Sequence, residues 1–62
     1  MTERDPLSAL VHDLRTPLAV VAGFAELLRT RADRLTPEQR DEYVERIAEG
    51  ARQMDEILSR VR

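Results

Sequence analysis

Asp33-Arg34-Leu35-Thr36-Pro37-Glu38-Gln39 divides this chain in two. Thr36 offers the side-chain acceptor that a helix N-cap needs. Pro37 fits the first helical position, where its missing N–H has no partner anyway, and Gln39 stands where a capping box places its reciprocal side chain. A helix is therefore expected over about 37–61. Its apolar residues Val44, Ile47, Ala51, Met54, Leu58 and Val61 step by threes and fours, flanked by Tyr43 and Ile57.

Upstream, Asp5-Pro6 repeats the cap-plus-proline start. From there Leu7, Val11, Leu14, Leu18, Val21, Ala25, Leu28 and Ala32 form a heptad seam, widened by Leu10, Phe24 and Leu27 into a face broad enough for a bundle. This predicts a first helix over about 6–32 and a turn over about 33–36. So short a turn makes the helices antiparallel neighbours. The expected fold is all-α, one domain over 1–62. A hairpin of 62 residues has more apolar surface than it can cover and too small a core to stand alone. Two copies forming a four-helix bundle is the simplest symmetric solution.

Composition removes several function classes. A chain of 62 residues has no room for a sheet, a phosphate loop and a substrate pocket, so a self-contained nucleotide-binding enzyme is excluded. The ten arginines face twelve Asp and Glu, and a net charge of -2 gives no electrostatic case for nucleic acid or an anionic membrane. With no cysteine there are neither disulfides nor thiolate metal sites. No apolar run approaches the roughly 20 residues of a membrane helix, so direct membrane insertion is not expected.

Chemistry concentrates at the single histidine. His12 follows Val11 and precedes Leu14 by two, which turns it away from the apolar seam and toward solvent. Thr16 lies one helical turn on, and Ala19 and Gly23 continue the same strip. The strip is shallow, so a partner can approach the imidazole closely; a plain run of tolerated surface residues is the alternative. Gly23 costs a helix about 1 kcal/mol relative to Ala, which favours a reason for it. Pro17 removes a backbone donor in mid-helix, but the seam keeps its phase through Leu14, Leu18 and Val21. A continuous, bent helix is expected rather than two short ones. Asp13, adjacent to His12, diverges from it by about 100° in a straight helix and is not expected simply to bond it. A carboxylate brought near the ring by a bend would select one tautomer. No second His or Cys completes a metal site, and a bare helix has no oxyanion hole for a hydrolase. Attack on a phosphoryl group needs less, because an ordinary imidazole is largely unprotonated at neutral pH.

The run Val11-His12-Asp13-Leu14-Arg15-Thr16-Pro17-Leu18 resembles the H-box of sensor histidine kinases, and Gly23-Phe24-Ala25-Glu26-Leu27-Leu28 resembles the continuation of that family's first helix. The similarity spans nearly the whole chain and is to the dimerisation and histidine-phosphotransfer domain of the HisKA type. The resemblance implies that His12 is the phosphoacceptor, attacking the ATP γ-phosphate through Nε2, with Asp13 assisting as acid or base. It implies a water-positioning role for Thr16 in dephosphorylating the response regulator, and a helix bend at Pro17. Arg15 matches the motif and is placed to meet a phosphate or a partner acid, its simpler role being a surface ion pair. The regulator's receiver domain is expected on the outer face of the first helix near His12, Ala19 and Gly23, with some of the second helix. Asp13 stands where Glu is commoner, and Pro6 where an aromatic is common.

No Asn-box or Gly-rich lid occurs in the chain. ATP and Mg2+ are thus implied only through a separate catalytic domain, the chain itself holding no cofactor, and the chain alone is not expected to autophosphorylate. Expected partners are a second copy, a histidine-kinase ATP-binding domain and a response regulator, in the cytoplasm. A stand-alone phosphotransfer or scaffold hairpin is the nearest alternative, and a purely structural dimerising hairpin lies further off. Met54 is expected in the core, and Glu45, Glu49, Arg52 and Arg60 on a solvated face worth little in stability.

Overall fold

Asp5 caps helix α1 (Pro6–Thr30) by accepting the Ser8 N–H at 2.7 Å, with Pro6 at the first helical position. The structure is a computed structural model and describes residues 5–61. Thr36 caps helix α2 (Pro37–Ser59) through the full capping box. Its hydroxyl accepts the Gln39 N–H at 3.0 Å, and the Gln39 side chain accepts the Thr36 N–H at 2.9 Å. Between the helices a single 3-10 turn, Ala32–Arg34, tightens the reversal. Arg40 at the start of α2 reaches back to the Ala32 carbonyl at 3.3 Å. The all-α hairpin expected from the sequence is what forms.

Both helices end about two residues earlier than the periodicity suggests. Arg31 leaves helical geometry at φ -124°, ψ 23° while its N–H still reaches the Leu27 carbonyl, and the Thr30 hydroxyl bonds the Glu26 carbonyl at 2.8 Å. Ser59 does the same to the Asp55 carbonyl at 2.7 Å. Such back-bonding serves a helix end better than a helix interior. Heptad spacing carries no information on this choice.

The cross-helix contacts run in opposite chain order, as antiparallel packing requires. Phe24 meets Tyr43 with ring centroids 5.1 Å apart near the turn. Pro17 and Val21 meet Gly50 at mid-length. Leu10 shares an open cleft with Arg60 and Val61 at the far end.

The expected seam is corrected in one respect. The buried or half-buried residues of α1 centre on Leu10, Leu14, Pro17, Val21, Phe24 and Leu28, with Ala9 and Leu27 at the margin; those of α2 centre on Tyr43, Ile47, Gly50, Met54 and Ile57, with Ala48 beside them. Leu7, Val11, Leu18, Ala25, Val44, Ala51, Leu58 and Val61 remain exposed. The single seam read from the sequence is thus two stripes, about 75° apart on α1 at 100° per residue. One stripe packs within the hairpin and the other does not. Among the described residues only Pro17 and Gly50 are buried, and the large hydrophobic side chains are half-buried or exposed.

The Asp5 cap gives a pH prediction. The Ser8 N–H holds the Asp5 carboxyl below the usual carboxylate range. A lowered folded value means the cap's stabilisation is present above that range and is lost as pH falls through the lowered value. The melting difference between wild type and Asp5→Ala should therefore be full at neutral pH and shrink below about pH 4. A difference that grows on acidification counts against the cap.

Candidate functional site

His12 lies on the second to third turn of α1 with its side chain 72% exposed. Asp13 approaches it after all. Its Oδ1 lies 3.4 Å from His12 Nδ1, contrary to the expected divergence of neighbouring side chains. The contact is long for a hydrogen bond, and the ring and carboxylate are both free to tighten it. An acceptor facing Nδ1 favours the tautomer with the proton on that nitrogen. Nε2 then carries the lone pair, open to solvent.

The strip expected beside the ring is present. Thr16, Ala19 and Gly23 are all exposed. The Thr16 hydroxyl makes no hydrogen bond among the described residues. A Cβ added at Gly23 would meet nothing within 4 Å, so packing within the hairpin does not require glycine there. Ala19 and Gly23 line a shallow groove with Val20, Phe24 and Leu27. Sequence periodicity had assigned Phe24 and Leu27 only to the core face. Arg15 shares an open depression with Ser8, Val11 and His12, and has no ion-pair partner among the described residues.

Pro17 belongs to a different face. It is buried, and α1 runs through it without a break. The residue that meets it, Gly50, was not singled out in the sequence. Its signal was there: a glycine between Ile47 and Met54 at seam spacing, in a helix where it costs about 1 kcal/mol.

On the far side of α2, Arg52 pairs with Glu49 at 2.6 Å and with Glu45 at 3.4 Å. The Arg52 hydrogen bond and charge hold the Glu49 carboxyl below its ordinary range. Both side chains are exposed, so the pair contributes little to stability.

The arrangement is an open imidazole with an adjacent carboxylate, on one face of a helical hairpin whose second apolar stripe is unpacked. The family profile described as His Kinase A (phospho-acceptor) domain matches residues 3–62. The chain belongs to the HisKA family. No curated protein and no solved structure gives a significant match.

This HisKA chain is accordingly a phosphoacceptor and dimerisation domain of the histidine kinases, which are transferases of two-component signalling. It carries one histidine, His12. No described helix of this HisKA hairpin is long and apolar enough to cross a membrane.

Proposed function

We propose that His12 is the phosphoacceptor, receiving the ATP γ-phosphoryl group from a separate catalytic domain and passing it to an aspartate of a response regulator. The observation that carries this reading is the exposed ring whose Nδ1 faces Asp13 at 3.4 Å, leaving Nε2 open. In the first step the Nε2 lone pair forms the N–P bond while the bond from phosphorus to the ADP oxygen breaks. Positive charge developing on the ring is met by the Asp13 carboxylate, which accepts the Nδ1 proton or shares it. In the second step a receiver carboxylate oxygen attacks the phosphorus, the N–P bond breaks and the imidazole is regenerated.

Among the described residues no group of three or more His, Asp or Glu side chains is placed to hold a metal ion. In this reading Mg2+ travels with ATP on the catalytic domain, and no step in the chain depends on it. The receiver docks over the groove of Ala19, Gly23, Phe24 and Leu27, about two to four turns beyond His12. A second copy covers the exposed apolar stripe. On a helical wheel His12 lies about 125° from that stripe and about 160° from the α2 face, so neither neighbour covers the ring. Because ATP is the donor, the cytoplasm is the compartment this function requires.

Thr16 positions the water that attacks the phosphorylated receiver. Its hydroxyl, one turn from His12 and without a hydrogen bond among the described residues, supports that role. Thr16→Ala should slow regulator dephosphorylation about tenfold or more while phosphate acceptance by His12 stays near wild type. Equal loss of both counts against it. The phosphoacceptor assignment is tested by mapping acid-labile phosphate after incubation with a histidine-kinase catalytic domain and ATP. Label on any residue other than His12 overturns it.

A further inference from the structure

Only two described residues are buried, Pro17 on α1 and Gly50 on α2, and they face each other. A Cβ built at Gly50 would lie 2.6 Å from Val21 Cγ2 and 3.1 Å from the Pro17 carbonyl oxygen. The first distance is a clash, and the second presses on backbone, which cannot rotate away. At Gly50 the helices therefore lie too close for a Cβ, and only a glycine allows that spacing.

The place matters because α1 is weakest there. Pro17 has no N–H, so the Asp13 carbonyl loses its partner in the helical ladder. The angle between the segment bearing His12 and the rest of α1 is less constrained by the helix itself. Packing against α2 takes over that constraint, and the nearest backbone is at Gly50. The two ends of the hairpin are also unequal. The turn end is held by the Phe24–Tyr43 ring pair and by Arg40 on the Ala32 carbonyl. The other end has no covalent connection, and His12 lies toward it. A change in spacing at Gly50 is therefore expressed at the open end.

We propose that Gly50 is a positioning residue for His12: by letting α2 close onto Pro17 it sets the orientation of the α1 segment that presents the imidazole. The proposal rests on the phosphotransfer reading above. It is separate from any contact of Gly50 with a reacting group, since the atoms nearest to a Cβ built at Gly50 belong to Val21 and Pro17.

The experiment compares wild type, Gly50→Ala and Gly50→Ala/Val21→Ala with two phosphoryl donors. One is a histidine-kinase catalytic domain with ATP, which must meet the imidazole in a defined pose. The other is phosphoramidate, a small donor that needs no pose. Gly50→Ala should lose about 10–100-fold in transfer from the catalytic domain, the scale expected for a misplacement of about 1 Å. Its rate with phosphoramidate should not change. Removing the Val21 methyl groups relieves the shorter of the two contacts and should recover part of the loss, the contact with the Pro17 carbonyl remaining.

The chain has no native cysteine, so spin labels can be placed without background. Labels at Ser8→Cys and Glu56→Cys report the open end, and labels at Arg29→Cys and Asp41→Cys report the turn end. Each labelled chain is diluted with unlabelled chain so that only distances within one copy are read. Gly50→Ala should move the open-end distance by about 1–2 Å, within the range that contact side chains impose on helix spacing. The turn-end distance should hold. Wild-type transfer by Gly50→Ala, equal loss with both donors, or an unmoved open-end distance each overturns the proposal. If wild type accepts phosphate from neither donor, the proposed function fails and the role of Gly50 in transfer fails with it. In that case the distances alone report the packing at Gly50.

Discussion

His12→Gln yields a chain that takes up no acid-labile phosphate from a histidine-kinase catalytic domain and ATP. The loss should be complete rather than partial, because the sequence holds no second histidine to substitute. Glutamine keeps approximate size and polarity but has no lone pair basic enough to attack phosphorus. The site is exposed and tied to the fold only through the loose contact with Asp13. Stability should therefore change by no more than about 0.5 kcal/mol, as for other surface substitutions. An unchanged helical signal with no phosphate is the expected pair of results. Asp13→Asn belongs to the same experiment. It keeps an oxygen beside Nδ1 but not the charge, and should slow acceptance about 10²-fold, the lower end of general acid–base contributions. Phosphate on His12→Gln at the wild-type level would remove the basis for every role assigned along the strip.

Leu18→Glu has the second large effect, and it falls on assembly. Leu18 is 53% exposed in the hairpin and sits mid-way along the unpacked stripe, between Val11 and Ala25. In a symmetric dimer the substitution occurs in both copies. Losing the burial of a leucine costs about 1.5–3 kcal/mol each, or roughly 3–6 kcal/mol per dimer, before any penalty for confining the carboxylate. Dimer dissociation should strengthen by about 10²- to 10⁴-fold. Because the hairpin alone buries no large apolar side chain, helical structure should fall with it, and the wild-type melting point should rise with chain concentration. Sedimentation at several concentrations measures both. A wild-type chain that sediments as a monomer and still melts cooperatively would refute the covered stripe.

The two helix starts were legible because capping is local chemistry. Asp5-Pro6 and Thr36-Pro37 with Gln39 make in space the bonds that their order along the chain implies. The outward direction of His12 followed equally well from the spacing of Val11 and Leu14. The division of the apolar face did not. A stripe wide enough for two neighbours has the same periodicity whichever neighbour comes from the same chain, so Leu10 and Phe24 read as margins and Leu7 and Val11 as centre. Gly50 was missed for a related reason. A pattern search scores what a side chain contributes, and Gly50 contributes the space where one would be. The contact of Asp13 with His12 was missed because the idealised 100° step ignores how far two flexible side chains lean toward each other. Residue by residue, the motif around His12 supplied the proposed chemistry, while the hairpin supplied the distances that make the proposed roles testable.

The exposure of the imidazole has one more consequence. An enzyme that shelters a reactive intermediate behind closed walls decides for itself how long that intermediate survives. His12 stands in open solvent at 72% exposure, so in the proposed role the lifetime of an N–P bond on it would be governed by bulk water and by the arrival of a receiver. Under that proposal the message would fade at a rate the hairpin does not set, and timing in such a circuit would depend on the abundance of the molecule that collects it.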